Sequence, residues 1–289
     1  MATSFLITGA SGNVGAAVLE HLGADKNHRI VTTTHAENKA SETERWLDFE
    51  QPDSFENALK SIDVVFLLRP PQLADVNTYF APFIAACQGA SIQQIVFLSV
   101  QGAEEVSFIP HAKIEKLIRQ SGIAYTFIRP SYFMQNLTTT LRSDIVRDHR
   151  LFLPAGKAPF LWVDVADIGR ATAVVLARWR EHQNRAYTIT GTELRTFGQV
   201  AAQRTHRVRS PFRESQPDSV LFYETKAGNG VGDDPGADHA AFSTPVSKSP
   251  ENQPGLHEPD RAATQYPPRF HRPKPVSLVL SLTLDGNAD

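Results

Sequence analysis

Short apolar, β-branched runs alternate with longer amphipathic stretches along the first two-thirds of the chain. The short runs predict buried strands at Phe5–Thr8, Ile30–Thr34, Val64–Leu68, Ile95–Ser99 and Tyr125–Ile128. The amphipathic stretches predict helices at Asn13–Leu22, Ser54–Lys60, Tyr79–Gln88 and His111–Gln120, with a later helix through Arg170–Arg178. Asp53 and Asp167 are the predicted N-caps of the second and the last helix. This alternation predicts an α/β fold, a doubly wound parallel sheet with helices on both faces.

A glycine-rich loop, Gly9-Ala-Ser-Gly12-Asn-Val-Gly15, joins the first predicted strand to the first predicted helix. In this position Gly9 permits a tight turn, Gly12 lets the backbone approach a pyrophosphate, and Gly15 lets the helix pack closely on the strand. The helix N-terminus then offers free N–H groups and a positive dipole end to phosphates. The loop therefore predicts a dinucleotide site in a Rossmann-type fold, and a purely structural turn is the alternative.

The end of the second predicted strand has no acidic residue of the kind that binds the adenosine ribose hydroxyls in NAD sites. Thr34 and His35, together with Thr33 and Lys39, are instead candidates to bind a 2′-phosphate, although no arginine stands in the expected place. His35 could equally be a solvated loop residue. NADP(H) is favoured as the cofactor, and NAD(H) stays open.

Charge and composition exclude several classes of function. Lys and Arg number 29 against 31 Asp and Glu, which gives a net charge of −2 and no overall attraction for nucleic acid or an anionic membrane. Cys87 stands alone, so neither a disulfide framework nor a cysteine metal site is expected. No apolar run approaches the roughly 20 residues that cross a bilayer, and no secretory leader is visible. We expect a soluble cytoplasmic protein without a metal.

The composition changes near residue 202. Residues 203–289 hold 11 of the 19 prolines and contain no Ile, Met or Trp. Such a segment buries too little apolar surface to offset chain entropy, so it is expected to be disordered or loosely attached. Only Val276–Leu284 alternates like a strand. Residues 1–202 form the predicted nucleotide-binding domain, and residues 203–289 form an atypical tail in place of a substrate-binding part.

Segments spread over the first part of the chain share, in order, the motifs of one known protein family. The G-x-x-G-x-x-G spacing of the glycine loop is the first similarity. The others are Trp46–Phe49, Val65–Gln72, Ile95–Gly102, Pro110–His111, Ile114–Lys116, Ser121–Pro130, Ser131–Leu137, Val163–Gly169 and Tyr187–Gly191. These segments resemble the NmrA-like family of NAD(P)-binding proteins, which are atypical short-chain dehydrogenases/reductases. The resemblance begins at Thr3 and stops near Ala202.

The resemblance implies a role for each matching position in cofactor binding. The pyrophosphate would lie on the loop, and the adenine, the adenosine side and the nicotinamide would lie against the ends of successive strands. The implied residues are, for the pyrophosphate, Gly9, Ser11, Gly12, Asn13, Val14 and Gly15; for the adenine, Asp48 and Phe49; for the adenosine side, Leu68, Arg69 and Pro70; and for the nicotinamide, Ser99 and Val100.

The classical Tyr-x-x-x-Lys pair of short-chain dehydrogenases is missing, and His111-Ala-Lys-Ile-Glu115 stands in its place. These two residues share a helix face, so one hypothesis is that His111 contacts the nicotinamide ribose or a substrate carbonyl while Glu115 orients it. The alternative is a surface pair. Tyr132, followed by Phe133 and Asn136, is expected to line the substrate side, unless Tyr132 lies at the rim and Phe133 in the core.

The family similarity implies an NAD(P)H-dependent oxidoreductase that transfers hydride from NADPH to a quinone or a similar small electrophile. Such a reaction depends mainly on placement, so it does not need the Tyr and Lys pair. The alternative is a non-catalytic, NAD(P)-sensing regulator that acts through protein contacts.

The tail does not continue the family pattern. With free choice of synonymous codons, a reading frame displaced by one base over residues 254–272 can encode the Thr-Gly-Arg-Pro-Pro segment that family members carry late in the chain. The hypothesis is a frameshift at or soon after residue 203, and the alternative is a native disordered tail that binds partners. Loss of the substrate lid would leave a surface uncovered and allow self-association.

Overall fold

The computed structural model describes residues 2–23, 28–37, 40–147, 150–152, 155, 157–208 and 213–215. All of them belong to the first of two compact units, Met1–Ala241. The predictions for the rest of the tail, including the strand at Val276–Leu284 and the frameshift, lie outside the described residues, as does Lys39. No helix in the described part of the chain is long and apolar enough to cross a membrane.

The strands run through the chain in the order β1 (Thr3–Ile7), β2 (His28–Thr34), β3 (Glu44–Trp46), β4 (Val64–Leu68), β5 (Gln94–Leu98), β6 (Ala124–Pro130), β7 (Arg150–Phe152), β8 (Phe160–Leu161), β9 (Arg185–Ile189), β10 (Leu194–Arg195) and β11 (Arg213–Ser215). The helices are α1 (Asn13–Leu22), α2 (Asp53–Leu59), α3 (Val76–Gly89), α4 (Pro110–Gln120), α5 (Arg142–Arg147), α6 (Val165–Ala177) and α7 (Phe197–Val208).

A seven-stranded sheet in the order β3-β2-β1-β4-β5-β6-β9 forms the centre of the fold. Every neighbouring pair in it is parallel. The order reverses between β1 and β4, so the sheet is doubly wound and Rossmann-type, which confirms the predicted fold class. The five predicted strands correspond to β1, β2, β4, β5 and β6, whereas β3 and β9 were not predicted.

The two faces of the sheet carry separate cores because alternate side chains of each strand point to opposite sides. On one face, Leu6 and Val65 pack with residues of α2, α3 and α4. On the other face, Phe5 and Phe66 pack with residues of α1 and α6. Helices therefore cover both faces, as the sequence predicts.

Both predicted N-caps are displaced by the local backbone. Pro52 occupies the N-cap position of α2, with φ −56°, and Asp53 is the first helical residue. The cap of α6 is Asp164, whose side chain accepts a hydrogen bond from the N–H of Ala166 at 2.8 Å. Asp167 lies in the first turn of α6. Its carboxylate favours that end of the helix dipole without capping it.

Helix α1 is held against the sheet by a very close crossing with α6. Gly169 of α6 faces Ala17 of α1, where a Cβ added to Gly169 would lie 2.5 Å from the Ala17 Cβ. Real Cβ atoms do not approach so closely. A glycine at this point is therefore required by the packing.

A third, aromatic cluster lies beyond the end of β6 and includes Tyr132, Phe160, Trp162 and Phe197. Strand β8 pairs with β10 in this region, and β7 pairs with β11. Helix α7 runs through the predicted domain boundary at residue 202. The described fold therefore continues past that boundary.

Candidate active site

A cleft of about 420 Å³ opens at the carboxyl ends of β1, β4, β5 and β6. This is the switch point at which the strand order reverses, where ligands bind in doubly wound sheets. The lining residues are Gly12, Asn13, Val14, Leu68, Arg69, Pro71, Leu98, Ser99, Val100, His111, Ser131, Tyr132, Phe133 and Asn136.

The glycine loop has the geometry that its sequence predicts. Gly9 adopts a φ of 64°, in the left-handed region, and its carbonyl accepts the N–H of Gly12 at 3.0 Å. A Cβ on Gly15 would lie 2.1 Å from the carbonyl oxygen of Gly9, so no side chain fits there. Gly12 stands at the N-cap of α1 without a capping side chain. The N–H groups of the first turn are therefore available to an anion.

Thr8 fixes this loop to the neighbouring strand. Its Oγ1 donates to the carbonyl of Phe66 at 3.0 Å and accepts the N–H of Leu68 at 2.8 Å. The loops that follow β1 and β4 are joined at the floor of the cleft, so their relative position is fixed without a ligand.

Glu115 forms the centre of a buried ionic network. The Glu115 side chain is 1% exposed. Its Oε1 accepts the Ser99 hydroxyl at 2.6 Å and the Nε–H of Arg129 at 2.9 Å. Its Oε2 accepts from Arg129 at 2.6 Å and from Arg119 at 3.0 Å. These four bonds occupy the carboxylate, so Glu115 does not orient His111 through a hydrogen bond as the sequence hypothesis required.

The charge of Glu115 is retained despite its burial. Desolvation by burial is the largest influence and raises its pKa. The hydrogen bonds from Arg129 and Ser99 and the charges of Arg129 and Arg119 outweigh that effect, so the pKa of Glu115 falls below its ordinary value. The residue is a carboxylate at neutral pH.

His111 is uncharged at neutral pH. Its pKa is lowered to about 4, first by burial and then by the charge of Arg69, whereas the charge of Glu115 acts in the opposite direction. The imidazole ring lies 6.1 Å from the ring of Phe97, measured between centroids. His111 therefore offers one N–H donor and one bare nitrogen to the cleft.

Arg69 is the one charged side chain among the lining residues that the structure describes. Its Nη1 donates to the carbonyl oxygens of Pro70, Pro71 and Leu73 at 2.9–3.0 Å, which curls the loop after β4 around the guanidinium. Its Nε is buried and has no partner among the described residues. Burial lowers the pKa of Arg69 from its ordinary value. The site thus holds a fixed positive charge that forms no ion pair with a carboxylate among the described residues.

Tyr132 lines the cleft and also belongs to the aromatic cluster. Its ring centroid lies 5.0 Å from that of Trp162 and 5.2 Å from that of Phe197, both in edge-on contacts. Burial raises the pKa of Tyr132, and a hydrogen bond with Asn136 opposes this effect. The phenol is therefore protonated at neutral pH and can donate. Phe133 contributes both to the cleft and to the core on the α1 face.

Other predicted site residues lie outside the cleft lining. Thr34 ends β2 and its Oγ1 accepts the N–H of Ala36 at 3.2 Å, and His35, the next residue, is exposed. The Asp48 carboxylate accepts the N–H of Glu50. The remaining residues outside the lining are Gly9, Ser11, Gly15, Phe49, Pro70 and Glu115.

The side chain of Phe49 is buried in the core. The residue is 4% exposed, and its ring lies 5.0 Å from the ring of Phe80 and 5.1 Å from that of Phe83. Its side chain is part of the core beneath α3. An adenine at this edge would therefore meet Asp48 or the backbone of Phe49 and not the aromatic ring.

Sequence reasoning missed Arg129 as a site residue, together with the lining residues Pro71, Leu98 and Ser131. The signal for Arg129 was present, because a lone arginine in an otherwise apolar buried strand requires an anionic partner. Leu98 is the last residue of β5, and Pro71 and Ser131 follow the ends of β4 and β6. Only the fold shows which of these positions face the cleft.

Comparison with known proteins gives both relatives and structural neighbours. A (4-alkanoyl-5-oxo-2,5-dihydrofuran-3-yl)methyl phosphate reductase of Streptomyces griseus is 30% identical over 72% of this chain and 75% of its own length. An NAD(P)H azoreductase of Xenophilus azovorans is 27% identical over the same shares. The structure of an NADPH-dependent quinone oxidoreductase of Escherichia coli, complexed with NADPH, superposes with a TM-score of 0.64 at 22% identity and covers 74% of this chain and 78% of the other.

The family assignment rests on residues 1–221, which match the NmrA-like family. The match continues beyond residue 202, where the resemblance was expected to stop. It includes the glycine loop, the cleft and the buried network around Glu115. The chain belongs to the NmrA-like family.

Proposed function

We propose that the protein is an NADP(H)-dependent reductase that transfers hydride to a quinone or a similar small electrophile. The observation that carries this proposal is the cleft at the switch point of the sheet, which joins a glycine cradle for phosphates to His111, Tyr132 and Asn136. A nucleotide on the cradle would extend across β4 and β5 toward these groups. The acceptor would lie against Tyr132 and Phe133.

The names of the relatives support a reductase. The curated relatives described above reduce azo compounds and a butenolide phosphate, as their names state, and the E. coli neighbour is a quinone oxidoreductase. These names favour an enzyme over the sensing regulator that the sequence left open. The acceptors differ among the relatives, so the proposal specifies an electron-poor acceptor of small size.

The choice of NADP(H) over NAD(H) is proposed from the adenosine end of the site. Thr34 and His35 end β2 and its loop, where an NAD site would carry an acidic side chain. A hydroxyl and an exposed imidazole accept a 2′-phosphate more readily than a carboxylate does, because a carboxylate would repel it. Replacement of Thr34 by Asp should reverse the preference in binding titrations with NADPH and NADH.

When bound, the cofactor supplies the hydride, and the side chains of the cleft supply position and a proton. The N–H groups at the start of α1 bind phosphate. The Arg69 charge stabilises negative charge that develops on the acceptor oxygen. The Tyr132 hydroxyl donates a proton to that oxygen and regains one from solvent at the mouth of the cleft. His111, being neutral, donates a hydrogen bond rather than acting as a charged acid. Glu115 acts through Ser99 and Arg129 as a positioning residue.

The proposal is tested on the purified full chain in two ways. One is a binding titration with NADPH, and the other measures the loss of reduced cofactor in the presence of a panel of benzoquinones. Replacement of Tyr132 by Phe should lower kcat by about 100-fold if the phenol is the acid. Tyr125→Phe is the control, since Tyr125 stacks on Phe127 away from the cleft. Tight NADPH binding without turnover on any acceptor would contradict the reductase, and the absence of binding would contradict the cofactor site as well.

A further inference from the structure

Ser99 lies between the cleft, which it lines, and the Glu115 carboxylate, which its hydroxyl contacts. Ser99 follows β5, lines the cleft and is 1% exposed. Its Oγ lies 2.6 Å from the Glu115 Oε1, which is itself at 1% exposure. An ionised carboxylate only accepts hydrogen bonds, so the single hydroxyl proton of Ser99 must be donated to Glu115.

The opposite arrangement, in which Glu115 carries the proton, is excluded by the neighbouring cations. Arg129 contacts both carboxylate oxygens, at 2.9 and 2.6 Å, and Arg119 adds a third charged donor at 3.0 Å. A neutral carboxylic acid here would leave the Arg129 guanidinium, which is 9% exposed, to be balanced by the 44% exposed carboxylate of Glu104 at 3.0 Å, which replaces little of the buried interaction. The proton therefore stays on Ser99.

This assignment determines which hydrogen bonds Ser99 can form toward the cleft. A dehydrogenase serine that donates to a substrate carbonyl needs a free hydroxyl proton. Ser99 has no other hydroxyl proton, and its backbone N–H is also used, because it donates to the carbonyl of Ile128 at 2.7 Å. What Ser99 offers to the cleft is a lone pair. A carbonyl oxygen at this point would be repelled, whereas an N–H group would be bound.

We propose that the Ser99 Oγ accepts a hydrogen bond from the carboxamide N–H of the nicotinamide ring, and that Glu115 is the positioning residue that enforces this polarity. The carboxamide is the donor at the ring end of the cofactor, so the bond fixes the rotation of the ring and therefore the face that it presents to the acceptor. This inference rests on the proposed function, since it requires a nicotinamide dinucleotide in the cleft.

The test compares binding of two dinucleotides by calorimetry, without turnover. One is NADP⁺, and the other is its 3-acetylpyridine analogue, in which a methyl ketone replaces the carboxamide and removes the donor. The wild-type protein should bind NADP⁺ about five- to tenfold more tightly, which corresponds to one buried hydrogen bond. In Ser99→Ala the ratio of the two dissociation constants should fall to about one.

A matched control removes a buried hydroxyl elsewhere. Thr172 on α6 is 0% exposed and does not line the cleft, so Thr172→Val should keep the wild-type ratio. Thermal melts of all three proteins show whether each is folded at the titration temperature. A wild-type ratio near one, or a Ser99→Ala protein that keeps the wild-type ratio, would overturn the inference while leaving the reductase proposal standing. A wild-type protein that binds neither dinucleotide would overturn both.

Discussion

Replacement of Glu115 by Gln isolates the contribution of the buried network to stability. The amide keeps the shape of the side chain but removes the charge that faces Arg129, whose side chain is 9% exposed. Breaking a buried pair from one side costs about 3–5 kcal/mol, because the remaining charge is left uncompensated. Glu104 stays 3.0 Å from the Arg129 Nη1, but it is 44% exposed and replaces little of the lost interaction. At roughly 2–4 °C per kcal/mol for a fold of this size, Tm should fall by about 6–20 °C.

Urea titrations and thermal melts of the single variants measure this cost. Glu104→Gln is the control, since it removes the exposed carboxylate from the same arginine and should cost about 1 kcal/mol or less. A double variant, Glu115→Leu with Arg129→Met, removes both charges and should recover most of the stability lost by Glu115→Gln. A Glu115→Gln protein as stable as Glu104→Gln, or a double variant no better than the single one, would refute the reasoning.

Three further variants test other parts of the structure. Gly15→Ala should abolish nucleotide binding in calorimetric titrations because its Cβ would lie 2.1 Å from the Gly9 carbonyl oxygen, whereas Gly89→Ala, with nothing within 4 Å, should leave binding intact. Thr172→Val should be neutral or stabilising by up to about 1 kcal/mol in urea titrations, because its buried hydroxyl has no partner among the described residues. The pKa of His111 is about 4 in the folded protein and about 6.5 in the unfolded chain. Between these two pH values the imidazole is protonated in the unfolded chain and neutral in the folded protein. Stability should therefore fall as the pH is lowered through that window, His111→Gln should remove this component, and an imidazole NMR signal of His111 that titrates near 6.5 would contradict the assignment.

The sheet was predictable where apolar side chains fill both of its faces. Strands β4 and β5 are continuous buried runs, and such runs are visible in the sequence without knowledge of their neighbours. Strand β9 was missed because it is the edge strand, and its residues are exposed or half-buried and include Arg185. Strand β3 was missed because it has three residues, two of them charged.

The chemistry of the cleft was predictable only in part. The residues proposed to bind phosphate lie within one loop, so their spacing carries the information. The partner of Glu115 could not be inferred from the spacing to His111, since a helix face shows which residues are neighbours but not what lies across from them. Arg129 lies on the next strand, 14 residues after Glu115 in the chain. The packing of the Phe49 ring could not be inferred for the same reason, because Phe80 and Phe83 come from a distant helix.

The close crossing of α1 and α6 has a consequence for synthesis on the ribosome. Ala17 and Gly169 are separated by about 150 residues, and at roughly 5–20 residues per second the second emerges on the order of 10 seconds after the first. During that interval the apolar side of α1 lacks the helix that covers it in the complete fold. The nascent chain therefore exposes this apolar surface until α6 is complete. A chain released before residue 177 would keep the surface exposed. Helix α1, although encoded before the other helices, is covered only after α6 has been synthesised.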